Sequence, residues 1–169
     1  MIKIIGACFI IVSCGSVGFK LAASYIQEER FIKQLIYALD YMECDLRCSL
    51  TSLPELCRHA SEQCSGTIRE LLCSLKEELD AQISPDAEQC MRDVLSKYKN
   101  LPEKIVDILQ KFGSSLGKFD LKGQLKGIEN IKIECQKYLE ELIEHKDYRL
   151  RSYRTLALCA GAALVILFI

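Results

Sequence analysis

An all-α fold, a bundle of about six helices flanked by an amino-terminal and a carboxy-terminal transmembrane helix, follows from three features of the 169-residue sequence. Apolar residues recur every three to four positions through nearly all of its middle, the period of a helix with one buried face. Only three prolines occur, and Pro54, Pro85 and Pro102 each stand where a new helical pattern begins, a position proline tolerates well. Both ends are apolar runs without charge, Ile4 to Phe19 and Thr155 to Ile169. Composition agrees: 50% hydrophobic and 27% charged residues suit amphipathic helices and not a disordered chain.

The first element is the amino-terminal run. With Lys20 snorkelling, Ile4 to Ala23 is long enough to span a bilayer, so residues 2–23 are expected to form a membrane anchor. Two alternatives stay open there. Ile11-Val12-Ser13-Cys14 resembles a lipoprotein cleavage box, and Leu21-Ala22-Ala23-Ser24 offers a poor signal-cleavage site. Glu28 to Leu50 then reads as helix, with Leu35, Leu39, Met42 and Leu46 at heptad spacing and Tyr37, Tyr41, Cys44 and Cys48 as a second stripe. No proline separates it from the anchor.

Thr51-Ser52-Leu53-Pro54-Glu55 combines a hydroxyl cap, a first-turn proline and an acid at the positive helix end. Leu56, Cys57, Ala60 and Cys64 mark the face of the short helix that follows. Ser65-Gly66-Thr67 breaks the pattern, and Ile68, Leu71, Leu72, Leu75 and Leu79 mark a third helix. Ser84-Pro85-Asp86-Ala87-Glu88 repeats the start signal before Cys90, Met91, Val94 and Leu95. From Pro102 a fifth helix carries Ile105, Ile108, Leu109 and Phe112. In the glycine-bearing turn that follows, Gly113 reads as a helix terminator, Gly117 as a tight-turn residue and Asp120 as the cap of the last helix.

That last helix has Leu121, Leu125, Ile128, Cys135, Leu139 and Leu142 in heptad register, with Lys132 as one polar slot. Nothing interrupts it before the basic cluster Arg149, Arg151 and Arg154, so it is expected to run into the apolar tail. The cluster is the pattern of a cytoplasmic membrane entry point. Residues 155–169 are therefore expected to be the second anchor and residues 24–154 a cytoplasmic bundle. At ~1.5 Å per residue the tail reaches only ~22 Å of a ~30 Å core.

Chemistry is sparse. A net charge of −1 argues against nucleic-acid binding, which wants a basic face. Ten cysteines lack the tight paired spacing of zinc sites, so they read as core hydrophobes of a reducing compartment. Cys44 and Cys48, four apart on one helix face with Cys57, His59 and Cys64 nearby, leave a thiol- or metal-responsive protein as the alternative. Neither His59 nor His145 has a nucleophile signature beside it. Gly113 to Gly117 lacks the Gly-Lys-Ser/Thr of a P-loop. No enzyme activity and no cofactor are expected.

Taken along its whole length, the chain resembles the stage III sporulation protein AB family of spore-forming bacteria. The resemblance rests on Leu53-Pro54-Glu55-Leu56, on Leu116-Gly117-Lys118-Phe119-Asp120 with Gln124 following, and on a Tyr-Arg apolar tail. Leu-Pro-Glu alone is a weak signal; the Leu-Gly-x-x-Asp-x-x-x-Gln turn is more specific. The cysteine richness departs from the family's pattern. The resemblance implies a bundle similar to the cytoplasmic domain of the type II secretion and type IV pilus platform protein. It also implies a place in the secretion-like channel between mother cell and forespore. Its implied partners are a cytoplasmic secretion-type ATPase of the stage III AA type, other stage III channel membrane proteins and membrane lipid. Leu53, Pro54, Glu55, Gly113, Leu116, Gly117, Asp120 and Gln124 are the positions it marks, as partner contacts or as structure.

Overall fold

The computed structural model describes the backbone of residues 2–49, 51–81, 86–116 and 120–168, and the side chains of residues 23–49, 51–81, 86–116 and 120–144. Six helices follow in order: α1 (Ile2–Ser49), α2 (Leu53–Gln63), α3 (Gly66–Ala81), α4 (Ala87–Ser96), α5 (Glu103–Ser115) and α6 (Leu121–Phe168). Among the described residues there is no strand. The outer two are unbroken runs of 48 residues each, as the absence of proline within them predicts. The chain divides into two compact units, one of residues 30–139 and one of residues 1–29 with 140–169. Among the described residues no helix is long and apolar enough to cross a membrane. The side chains of both apolar ends, and with them the expected anchors, lie outside the described residues.

Within the unit of residues 30–139, each helix turns its apolar stripe inward. Ile32, Leu35, Leu39, Met42 and Leu46 of α1 are buried, as are Leu56, Cys57 and Ala60 of α2 and Ile68, Leu71, Leu72 and Leu75 of α3. Cys90, Met91, Val94 and Leu95 of α4 and Ile105, Ile108, Leu109 and Phe112 of α5 complete the middle. Each such aliphatic or aromatic side chain is worth ~1.5–3 kcal/mol when fully buried. Consecutive helices α2 to α5 pack on one another in chain order. Short connections produce that result, because the next amphipathic stripe is already nearby.

On α6 the buried face is Ile128, Ile131 and Cys135, a 3.6-residue stripe and not the strict heptad read from the sequence. Leu125 and Leu139 are half-buried, and Leu121 is exposed. Lys132, the polar slot, sits at the edge of this face. Its ammonium meets Glu43 at 2.8 Å and Asp40 at 3.0 Å, both on α1. The slot is thus filled by a charge clamp between the first and last helices.

The helix starts differ in chemistry. Asp86 caps α4, its carboxylate accepting from the Gln89 amide at 2.9 Å; Ser84 and Pro85 of the predicted signal lie outside the described residues. Asp120 caps α6 as predicted, accepting from the Gly123 amide at 3.0 Å, while its own carbonyl accepts from the Gln124 amide at 2.9 Å. Ser52 occupies the cap position of α2 but makes no capping bond. The expected hydroxyl cap is absent, and proline in the first turn leaves fewer amides there to satisfy; Thr51 donates its hydroxyl to Asp45 at 3.2 Å.

Gly113 corrects a second expectation. It does not terminate α5, which continues to Ser115. Gly113 is buried, and a Cβ there would stand 2.6 Å from the Cβ of Met91 on α4. The glycine is required by the close approach of two helices, not by a turn.

Candidate interaction site at the α1–α2 and α5–α6 corners

The residues singled out by sequence divide between two corners on different elements. At the first, Leu53, Pro54 and Glu55 form the opening turn of α2. Glu55 stands one turn ahead of Arg58 and His59, and its carboxylate pairs with Arg58 at 2.8 Å and faces His59 Nε2 at 3.6 Å. Arg58 also reaches Glu62 at 2.6 Å. The hydrogen bond to Glu55 is the first reason the guanidinium holds its proton even more firmly than usual.

The other nitrogen of His59 ties this turn back to α1. His59 Nδ1 lies 2.9 Å from Asp45 Oδ2. An ionised carboxylate only accepts hydrogen bonds, so Nδ1 carries the proton and donates. Asp45 accepts the Thr51 hydroxyl with its second oxygen. The corner is therefore a chain of polar contacts from Thr51 through Asp45 and His59 to Glu55 and Arg58. It fixes how α2 folds back along α1, helped by Gln34, whose amide donates to the Ser65 hydroxyl at 2.7 Å. Sequence reading missed Asp45, and it weighed His59 only for catalysis and metal binding, not as a link between helices. The Glu55-to-His59 spacing of four was visible, but nothing in the sequence pairs a residue of α1 with one of α2.

At the second corner, Gly113 and Leu116 are buried, Asp120 is exposed and Gln124 is half-buried. Gly117 lies outside the described residues. Leu116 ends α5, its amide donating to the Gly113 carbonyl at 3.3 Å. Helix α6 then runs antiparallel to α5. Lys111 meets Glu134 at 2.7 Å, and Lys104 lies 5.8 Å from the Tyr138 ring centre. A Cβ at Gly127 would stand 2.8 Å from the Cβ of Ser115. The hydrogen bond that Lys111 donates to Asp107 is the first of two that hold its ammonium well above its ordinary pKa, the second being the one it donates to Glu134. Gly113 and Leu116 are thus packing residues, and Asp120 is a cap that leaves its side chain open to water. Of Arg149, Arg151 and Arg154, the backbone continues α6; their side chains lie outside the described residues.

Among the described cysteines, Cys73 on α3 is half-buried and the other six lie at the two extremes of exposure. Cys57, Cys64, Cys90 and Cys135 are buried and behave as the core hydrophobes expected. Burial pushes the Cys57 and Cys135 thiols up to about 12. Cys44 and Cys48 are exposed, which corrects the core reading for them, because their stripe with Tyr37 faces away from the buried face of α1. Among the described residues no group of three or more histidine, cysteine or acidic side chains is arranged to hold a metal ion.

Polar side chains here serve to lock helices at corners, and the geometry defines a class: a small all-α bundle framed by two long helices. Comparison with known proteins takes this further. The family model for stage III sporulation protein AB matches residues 3–169, and the chain belongs to that family; it is a stage III sporulation component. Stage III sporulation protein AB of Bacillus subtilis (strain 168) is 27% identical over 172 residues, covering 99% of each chain. A solved structure of stage III sporulation protein AB (SpoIIIAB) matches 72% of this chain and 98% of its own. Its TM-score is 0.65 at 21% identity, which shows a common fold.

Proposed function

We propose that the chain is a non-enzymatic, membrane-anchored platform component of the secretion-like channel between mother cell and forespore. In this reading it docks a cytoplasmic secretion-type ATPase of the stage III AA type, beside other stage III channel proteins. Family membership places the protein in sporulation. The observation that carries the platform reading is the continuity of the outer helices. Helix α1 begins in one apolar end of the sequence and α6 finishes in the other. A bundle whose first and last helices both lead into apolar stretches is suited to two-point attachment at a membrane.

Residues 2–23 and 155–169 are the proposed anchors, and residues 24–154 the cytoplasmic part. Arg149, Arg151 and Arg154 set the orientation, since basic residues stay on the cytoplasmic side. For the ATPase contact, Glu55 and Asp120 are the marked residues with accessible charge: the Glu55 side chain is 47% exposed, and Asp120 is exposed. Pro54 and Leu53 shape the first corner; Gly113 and Leu116 are buried and act through packing.

The test is capture of the cognate ATPase by the tagged full-length chain in membranes. Retention of the ATPase, reduced by Glu55→Lys or Asp120→Lys, supports docking. Membranes carrying the wild-type chain that fail to retain it refute the docking role.

A further inference from the structure

We infer that Cys44 and Cys48 form a two-sulfur site on the outer face of α1 for a soft monovalent metal ion of the copper(I) class. The site goes beyond the platform role and does not depend on it. Both cysteines are free and exposed, and they lie four residues apart on an uninterrupted helix. Residues four apart share one face of a helix, so the two thiols are neighbours on the solvent side of α1. The neighbouring apolar positions Met42 and Leu46 are buried, so the helix cannot rotate the thiols inward without exposing its core face.

The spacing decides which chemistry is open to the pair. Residues four apart on a helix hold their Cβ atoms ~5–6 Å apart, whereas a disulfide wants a Cβ separation of ~3.5–4.5 Å. The helix therefore resists a direct sulfur–sulfur bond. A metal placed between the sulfurs relieves that mismatch, because two metal–thiolate bonds of ~2.3 Å bridge up to ~4.6 Å between sulfur atoms. Two ligands do not make a zinc site, which takes four and closes tetrahedrally. Soft thiolates instead select copper(I), which accepts two sulfurs in a near-linear arrangement.

The proton balance is fixed by the thiols. Starting from two thiols, one monovalent ion binds as two thiolates and releases two protons, leaving a site of net charge −1 and no change in oxidation state. Arg47, next to Cys48 in the sequence, supplies a nearby cation, although it is already paired with Glu43 at 2.6 Å.

Anaerobic titration of the purified full-length chain with copper(I), against a colorimetric chelator, tests the site. Wild type is expected to retain one equivalent more than Cys44→Ser, and Cys48→Ser is expected to lose that same whole equivalent. Cys73→Ser, altering a half-buried thiol on α3, should bind as wild type does. Far-UV circular dichroism confirms that all three variants fold. Equal stoichiometry in wild type and the two helix variants overturns the inference, as does loss of only half an equivalent in each. Copper-dependent dimerisation abolished by either variant overturns it too, since the ion would then lie between copies.

Discussion

Replacing Gly113 with alanine tests the close packing of α4 on α5. A methyl group there would lie 2.6 Å from Met91 Cβ, 3.0 Å from its Cγ and 3.4 Å from the Ala87 carbonyl oxygen. Carbon atoms in contact prefer ~3.5–4.0 Å, so α4 must retreat by roughly 1 Å. The nearest atom is a Cβ, fixed to the backbone, so no change of rotamer removes the conflict. Overpacking of this kind costs ~1–3 kcal/mol. Alanine's greater helix propensity returns ~1 kcal/mol, leaving a net loss of about 1 kcal/mol. For a chain of this size that lowers Tm by ~2–4 °C. Thermal and urea unfolding of the full-length protein, followed by circular dichroism, reads this directly. Met91→Ala retains the Cβ, so in the double variant it should not rescue Gly113→Ala. A Gly113→Ala protein as stable as wild type, or a Met91→Ala change that rescues it, would refute the packing argument.

Other outcomes follow from the same contacts. Lys132→Met should cost about 1 kcal/mol, since it leaves Glu43, only 14% exposed at its side chain, without its main partner. Glu43 is held below its usual range first by the hydrogen bond from Lys132, so its contribution is complete above an unfolded pKa of ~4.3 and fades as pH falls through the lower folded value. Lys132 is raised by Glu43 and then Asp40; its contribution is complete below ~10.4 and fades as pH climbs through the higher folded value. The stability gap between wild type and variant, measured by urea unfolding, should therefore be flat in between and shrink towards both extremes. Asp86→Ala should cost ~1 kcal/mol by removing a formed cap, whereas Ser52→Ala should be nearly neutral in the same assay, because Ser52 makes no capping bond. Brief iodoacetamide treatment at pH 8 should label Cys44 and Cys48 in the folded protein and spare Cys57 and Cys135 until denaturant is added, as peptide mass spectrometry would record.

Much of the fold was legible because amphipathic period and start signals are local. The stripes of α2 to α5 and the Asp120 cap needed only neighbouring residues to be read. What was hidden depends on partners far away in sequence. Gly113 looks like a stop because glycine often ends helices, and only Met91, twenty-two positions earlier, makes it a contact residue. Lys132 breaks a heptad until Asp40 and Glu43 are placed opposite it. The buried stripe of α6 includes Ile131, which a strict seven-residue repeat passes over. Exposure of Cys44 and Cys48 was equally hidden, since cysteine's usual place is inside. For the site, the Leu-Pro-Glu turn was visible, but the Asp45–His59 link that steadies it joins two helices and left no signature.

The clamp at Lys132 also orders events in folding. Its partner Glu43 is 89 residues away along the chain, whereas α2 with α3, α3 with α4 and α4 with α5 meet across short connections. Loop-closure entropy rises with the length of chain enclosed, and contacts between distant segments form later than local ones. The four inner helices can thus assemble on one another while the outer pair is still apart, and α6 closes onto α1 only after all of them have left the ribosome. Until that moment the apolar face of α1 has no last helix to cover its edge. A chain synthesised without α6 would keep its inner pairings and expose that seam, which makes truncation before residue 121 a route to aggregation and not to a smaller working bundle.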